Sequence, residues 1–509
     1  MAYKPLSQLI DGIDLLSRHG NADPVIKQVA YDSRKVTRGT LFVAIPGEHV
    51  DGHTFIGEAV KRGAAAVLYS DPAVDVSKAP VALQVAESRP ALSHIAAAYY
   101  GNPSHRLQVV GVTGTDGKSS TVYFIHQLLE AVGAASGFVS TVAMNTSGKT
   151  GKNDLRQSTP EAPEIQAALA EMLASGKSYA VLEATSHGLS ERTSRLANVR
   201  FQMGVFTNLS HEHLEFHGSM EQYRSDKGNL FRALSETPGG TAILNADDEA
   251  SRYFSQISPV PCAYYSTAGA PEAELRVEKS RSDMRGSSFS LIDRKSKSTH
   301  LVRLPLVGAF NIDNALAAVL CVSRLLDMPV PELIPYLEKL EPVTGRMTSI
   351  PTDGSFHLIV DYAHTPGSFA TVLPMIKQYT KGRLIVVFGS AGERDRAKRP
   401  VQGELAARYA DIVILTDEDP RGEDSDVIIA EIAAGCRIAR PNWKEGSEIL
   451  RIVNRRAAIE TAVELAEKND TVLLLGKGHE ASIIYATGPK PWNEIEIAEK
   501  LSQSRAALV

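Results

Sequence analysis

The sequence predicts an α/β protein built from three domains. Its 509 residues set the domain count, at roughly 150 residues per domain. The stretch LQVVGVTGTDGKSSTVYFIHQLLEAVG reads as strand, glycine-rich turn and helix, the unit that begins a doubly wound sheet. Short apolar runs alternating with helical segments recur in two blocks: YAVLE, MGVFTN and TAILN, then RLIVVFG, DIVILTD and TVLLLGKG. Each block predicts a sheet of its own.

In chain order, the first 105 residues carry short strands, such as TLFVAIPG and AAAVLYS, between helical stretches. Asn102-Pro103-Ser104-His105 is polar and turn-forming and is expected to be a linker. Residues 107–113 form the next buried strand. Val122, Ile125, Leu128, Leu129 and Val132 then repeat at helical spacing until Gly133 stops the helix. YAVLE, MGVFTN and TAILN end in Glu183, Asn208 and Asn245. Ligands of open α/β sheets bind beyond the carboxyl ends of strands, so polar residues there are candidates for a site. Residues 275–307 are more strand-like and polar, and GAFNIDNALAAVL returns to helix. The pattern restarts around Pro342, which places the domains at 1–105, 106–343 and 344–509. Asn245, Asp247 and Asp248 read as a turn after a strand.

Composition excludes several classes. Apolar residues make up 43% and charged residues 22%, which rules out a wholly disordered chain. Lys and Arg number 54 against 59 Asp and Glu, a formal charge of −5, so there is no electrostatic case for nucleic acid or an anionic membrane. Cys262, Cys321 and Cys436 are far apart with no CxxC pair, which argues against a disulfide framework or structural zinc and fits a reducing cytoplasm. Acids interrupt the apolar residues of MAYKPLSQLIDGIDLLSRHG, unlike a signal peptide. No stretch reaches the ~18 consecutive apolar residues of a membrane span, so no membrane insertion is expected.

Gly114, Thr115, Asp116, Gly117, Lys118 and Ser119 join the strand to the helix, with Ser120 following in the first turn. Such a loop can wrap a phosphate in its N–H groups at the helix N-terminus. Lys118 then offsets β/γ-phosphate charge and Ser119 can ligate Mg²⁺. The spacing departs from G-x-x-x-x-G-K-[ST], because Val112 stands at the first Gly and Gly111 lies one residue earlier. The bland alternative is a structural turn with a surface lysine, and the strand–loop–helix context favours a nucleotide. The centre therefore reads as a P-loop α/β ATPase-like domain and the last block as a Rossmann-like α/β domain. The loop alone leaves kinase, ATPase and ligase open.

The loop and the motifs around it resemble the Mur ligase family over essentially the whole chain. YDSRKVTRGTLFVAIPGEHVDGHTFI is similar to the family's uridine-nucleotide-binding domain. GVTGTDGKSST, LEATSHGLS, FTNLSHEHLEFHG, YRSDKGNLF, GAFNIDNALAA, VTGRM, VDYAHTPGSF, AGERDRAKRP, TDEDPRGED and LLLGKGHE follow in the family's order. The resemblance is closest to the branch that adds the third residue of the bacterial cell-wall precursor peptide. It implies ATP-driven amide synthesis through an acyl phosphate, with ATP and Mg²⁺ required. The partners it implies are UDP-N-acetylmuramoyl dipeptide and a free diamino acid, handled by a cytoplasmic monomer.

The resemblance also implies roles. Lys118, Glu183, His213 and Lys227 would be the catalytic set, and Ser119, Glu183, His213 and Lys227 the Mg²⁺ ligands. Lys227 aligns with a lysine that the family carbamylates; taken alone, it reads as a helical surface lysine. His211, His213 and His217 also invite a zinc reading, but the chemistry wants hard oxygens, so His211 and His217 are expected to be spectators in a solvated loop. Ser158, Thr159, Thr185 and Arg195 match contacts to the acceptor, with Arg192 a rival to Arg195. Ser33 matches a uridine-nucleotide contact, with a capping or turn role as its alternative. Asn311 and Asn314 match adenine-side positions, and Arg346, Asp361 and His364 match residues around ribose and phosphates.

For the incoming amino acid, Arg394 resembles an arginine that holds a carboxylate bidentately. Glu418-Asp419-Pro420-Arg421 aligns with Asp-Asn-Pro-Arg, the form typical of meso-diaminopimelate enzymes, and Gly476 and Glu480 align with further contacts. Arg421 would pair with a distal carboxylate, which lysine and ornithine lack. Asp419 departs from the pattern: its charge favours a bare ammonium unless Arg421 neutralises it. Arg421 could instead be a surface residue paired with Glu423 or Asp424. Diaminopimelate is favoured, with lysine and ornithine as alternatives. A folylpolyglutamate synthetase shares the loop and the amide-forming logic, and a non-catalytic nucleotide-binding protein is the alternative from another class.

Overall fold

The computed structural model describes residues 3–47, 50–153, 155, 157–210, 212 and 214–506. The chain is α/β, and its principal sheets are three. Contacts divide it into two compact units: Met1–Glu278 with Leu291–His300 and Asp313–Tyr336, and Lys279–Ser290 with Leu301–Ile312 and Leu337–Val509.

The first unit holds two sheets. The N-terminal one has five strands in the order Ser17–His19, Ala82–Gln84, Ala64–Tyr69, Thr40–Val43, Gln28–Ala30, parallel except for the first pair. One face packs Leu41, Val43, Leu68 and Leu83 under helix Ser88–Tyr100; the other packs Phe42, Val67 and Ile56. The second has eleven strands; its parallel part includes Ser136–Val139, Tyr179–Glu183, Gln108–Thr113, Met203–Phe206, Thr241–Asn245, Cys262–Ser266 in that order, and Ala143–Asn145 and Gly151–Lys152 extend it antiparallel beyond Ser136–Val139. Its central strand is first in sequence, so the order reverses across Gln108–Thr113. That is the switch point where a doubly wound sheet opens a crevice at its carboxyl edge.

The second unit holds a six-stranded sheet in the order Thr348–Ile350, His357–Asp361, Thr471–Leu475, Leu384–Phe388, Ile412–Leu415, Ile449–Arg451, with only the first pair antiparallel. Both faces are covered. Phe369, Leu373 and Ile432 pack on one and Ile459, Val463 and Ala498 on the other, so RLIVVFG, DIVILTD and TVLLLGKG are continuous apolar runs rather than alternating ones. Residues 275–307 give strands Leu275–Asp283, Gly286–Asp293 and Ser298–Leu304, and the helix after them is Phe310–Leu326.

The helix after the glycine loop is Lys118–Ala131, with Val132 as its cap and Gly133 at φ +80° beyond it. The expected linker is a turn but not a free one. Pro103–His105 forms a single 3₁₀ turn, Ser104 is 2% exposed, and its Oγ accepts from Arg200 N at 3.1 Å. Among the described residues no helix is long and apolar enough to cross a membrane.

Candidate active site

The loop 114–117 sits at the switch point. Gly114 has φ +151° and Gly117 φ +81°. A Cβ would stand 1.9 Å from Thr207 Oγ1 at the first and 2.3 Å from Asn314 Oδ1 at the second, so both positions require glycine. Asn208 straps the loop from the next strand: its carbonyl accepts from Thr115 N at 2.8 Å and its Oδ1 from Asp116 N at 2.9 Å. Thr207 Oγ1 donates to Asp116 O at 2.6 Å, and Thr115 Oγ1 lies 3.1 Å from the Tyr223 hydroxyl. Asn314 Oδ1 accepts from Thr121 Oγ1 at 3.2 Å, which sets this asparagine against the loop. Lys118 Nζ donates to Thr115 O at 2.6 Å, and Ser120 is half-buried in the first helical turn.

Glu183 ends the neighbouring strand and is 3% exposed. Its carboxylate accepts from Ser119 Oγ at 2.9 Å, from Thr141 N at 2.8 Å and from Thr141 Oγ1 at 2.9 Å. A hydroxyl and a carboxylate brought together at a phosphate loop are hard oxygen donors, the set that Mg²⁺ takes. The fit rests on Ser119 and Glu183. His213 and His211 lie outside the described residues, and among those described no cluster of three or more His, Cys, Asp or Glu suits a metal.

Lys227 is no surface lysine. Helix Met220–Arg232 buries it to 1% exposure, with Nζ donating to Gly114 O at 2.6 Å and standing 4.4 Å from the Tyr223 ring centroid. Burial, and then the charge of Lys118, push its ammonium well below the usual lysine range. His217 corrects an expectation too: it is not solvated. Its Nδ1 lies 2.6 Å from Asp226 Oδ2 and its Nε2 3.0 Å from Ser186 Oγ, both in the interior.

The positions assigned to the acceptor gather beside Glu183. Thr159 Oγ1 donates to Glu183 O at 2.7 Å and accepts from Thr185 Oγ1 at 2.9 Å, while Thr185 caps the turn Ser186–Leu189 through Gly188 N. Ser158 is half-buried next to them. Arg195 donates to Thr159 O at 2.9 Å, whereas Arg192 turns to Phe216, 4.4 Å from its ring. Ser33 is buried within the 3₁₀ turn Ser33–Lys35, and the capping side chain there is that of Asp32.

In the second unit, Asp361 ends its strand and accepts from Met347 N and Ala363 N, both at 2.8 Å. His364 Nδ1 contacts Tyr362 O at 3.0 Å, Arg346 lies 4.5 Å from the Tyr362 ring, and Asn311 donates to Val307 O at 2.9 Å. Arg394 is exposed on the loop before helix Lys398–Tyr409. Arg399, fully buried, anchors that loop: it bridges Glu423 at 2.9 Å and Glu431 at 2.7 Å and donates to Ala391 O. Its hydrogen bonds hold the Glu423 carboxyl down to about 2.

Arg421 therefore does not pair with Glu423, and Asp424 is engaged in capping helix Ser425–Ala439. Asp419 is not neutralised by Arg421 either. Its Oδ1 accepts from Lys477 Nζ at 2.8 Å and Ile484 N at 2.9 Å, and Lys477 also pairs with Glu480. Arg421 is held by its backbone, at φ +54° with N–H donating to Ile484 O, and its buried Nε has no hydrogen-bond partner. Glu418 stands beside Gly476, whose φ is +102°; its carboxyl is pushed up to about 7 by burial, and its Oε2 also has no partner. Fully buried Arg455 pairs with Glu494 and donates to Asp417 O and Leu475 O, tying two strand ends together.

Thr141, Arg399, Arg455 and Lys477 carry these arrangements and were not singled out by sequence. Asn208 was, by its place at a strand end.

Residues 25–100 match the Mur ligase family catalytic domain, 112–322 the Mur ligase middle domain, and 345–478 the Mur ligase glutamate ligase domain. The chain is 48% identical over 487 residues to a UDP-N-acetylmuramyl-tripeptide synthetase of Roseiflexus sp. (strain RS-1), covering 94% of each. It is 44% identical over 526 residues to one of Treponema denticola, covering 98% of each. Among solved structures it is similar to a UDP-N-acetylmuramoyl-L-alanyl-D-glutamate–2,6-diaminopimelate ligase, at 26% identity and a TM-score of 0.67 over 99% of each chain. With its three domain matches in order and this likeness along its length, the chain belongs to the Mur ligase family of ATP-dependent ligases, and within it to the tripeptide-synthetase type that serves peptidoglycan-precursor synthesis.

Proposed function

We propose that this enzyme joins a diamino acid to UDP-N-acetylmuramoyl-L-alanyl-D-glutamate through an acyl phosphate, in the cytoplasm and as a monomer. Residues 1–105 would receive the uridine end, 106–343 ATP and the dipeptide, and 344–509 the amino acid. The observation that carries the reading is the buried Ser119–Glu183 pair beside a lysine-bearing phosphate loop. The acceptor carboxylate attacks the γ-phosphate, giving acyl phosphate and ADP. The amine of the amino acid then displaces phosphate and sheds a proton as the amide forms.

This chain's residues suit those steps. Loop amides and Lys118 bind the anionic phosphates where charge shifts during transfer. Ser119 and Glu183 would hold Mg²⁺, which when bound offsets the repulsion between two anions. Only a neutral amine attacks CO₂, and the burial of Lys227 favours that form, which supports its carbamylation. The carbamate would add an anionic metal ligand in place of an ammonium. Arg195 and Thr185 orient the acceptor.

For the amino acid, meso-diaminopimelate is favoured. Asp419 and Glu480 are both paired with Lys477, which lowers the negative charge facing a distal carboxylate, and Arg421 keeps an unused donor. The test is amino-acid-dependent ADP release with the UDP-linked dipeptide, comparing diaminopimelate, lysine and ornithine for wild type and Arg421→Ala. Diaminopimelate should lead with wild type and lose its advantage in the variant, since a lost charged hydrogen bond costs ~2–5 kcal/mol. A lead for lysine or ornithine in wild type contradicts the choice of amino acid while leaving the ligase reading in place. No ADP release with any of the three contradicts the reading itself.

A further inference from the structure

Within the first unit, one buried carboxylate joins the N-terminal sheet to the acceptor positions. Glu161 is 7% exposed and precedes helix Ala162–Ala174 without capping it. Its Oε1 pairs with Arg195 at 2.9 Å and its Oε2 with Arg89 at 3.4 Å. Arg89 lies in helix Ser88–Tyr100 of the N-terminal sheet and also donates to Pro46 O at 3.0 Å. One helical turn on, Glu164 accepts from the Tyr31 hydroxyl at 2.9 Å and lies 3.9 Å from Lys35. Two guanidinium groups on one carboxylate leave a net positive charge, and the buried Nε of Arg195 has no hydrogen-bond partner. The cluster is therefore still receptive to an anion, with Thr159 O and Glu161 fixing the direction in which Arg195 points.

We infer that Glu161 is a positioning residue that couples the two ends of the acceptor site. It orients Arg195 toward a carboxylate of the bound dipeptide and, through Arg89, fixes that arginine's distance from the Pro46 segment of the N-terminal sheet. A ligand that spans both regions depends on this spacing, whereas a ligand that touches only one does not. The inference rests on the acceptor proposed above.

The test uses the full-length enzyme and titration calorimetry with two probes, the UDP-linked dipeptide and UDP alone, together with the KM for ATP. Glu161→Gln keeps the shape and removes the charge, and Arg89→Met removes one partner. Each should weaken the UDP-dipeptide about tenfold while UDP alone and the KM for ATP stay within twofold. The double variant should be no more than about twofold weaker than Glu161→Gln, because the residues act as one unit. Unchanged dipeptide binding in Glu161→Gln overturns the inference. So does equal weakening of UDP, ATP and the dipeptide, which marks a loss of packing, and so does full additivity in the double variant. If wild type does not bind the UDP-dipeptide, the acceptor reading has failed and takes this inference with it.

Discussion

The phosphate loop and the strand ends of the second unit both hold basic side chains, but they hold them differently. Lys118 and Lys227 are bonded to backbone carbonyls, of Thr115 and Gly114. Lys477, Arg399 and Arg455 are bonded to side-chain carboxylates: Asp419 and Glu480, Glu423 and Glu431, and Glu494. A carbonyl orients a cation without cancelling its charge, whereas a carboxylate does both. The first arrangement leaves the Lys118 charge available to an incoming anion, and it leaves Lys227, whose ammonium burial disfavours, without a counter-charge. The second uses its positive charge up in holding strand ends and loops together. Arg421 differs from these paired cations, since its buried Nε has no hydrogen-bond partner.

Three substitutions sharpen this contrast, in descending size. Lys118→Ala should lower kcat by roughly 10²–10³, or about 3–4 kcal/mol of barrier, with the fold intact, because it removes a preorganised charge from phosphoryl transfer. Near-normal turnover by the folded variant would remove the contrast. Glu418→Gln addresses a carboxyl with no partner for its Oε2. Burial raises its folded pKa to about 7 from 4.5, so the folded state holds a proton that the unfolded state has lost between those values. Stability from this group therefore falls as pH rises from 4.5 to 7 and stays low above that. The cost is on the order of 3 kcal/mol. Urea unfolding should show the variant gaining on wild type between pH 5 and pH 8; a pH-independent difference contradicts the assignment. Arg399→Met should destabilise by about 2 kcal/mol with its loop loosened. That is less than a fully buried pair would lose, because Glu423 and Glu431 are 22% and 29% exposed. No shift in its urea midpoint would show that the pairing is not structural.

What the sequence made legible follows the same division. The glycine loop, the strands around it and the polar residues at their ends are local patterns, and Asn208 and Glu183 were found by position alone. Charged motif residues could be named but not their state. Lys227 reads as a surface lysine because the helical pattern of YRSDKGNLF does not tell that its face is packed under Gly114. His217 reads as solvated because its partners, Asp226 and Ser186, lie 9 and 31 residues away. Thr141 approaches Glu183 across 42 residues, and Lys477 approaches Asp419 across 58. Such pairs leave no local period or spacing to read. The pairing of Glu423 and Asp419 turns on Arg399 and Lys477, two residues that no local pattern marks out.

The most direct test of the contrast is carbon-13 NMR of the enzyme in ¹³C-bicarbonate. A carbonyl-held, desolvated amine should react with CO₂, and an ammonium locked between two carboxylates should not. Wild type should show a carbamate resonance that disappears in Lys227→Ala and persists in Lys477→Met. No carbamate resonance in wild type, or one that survives Lys227→Ala, would contradict the contrast.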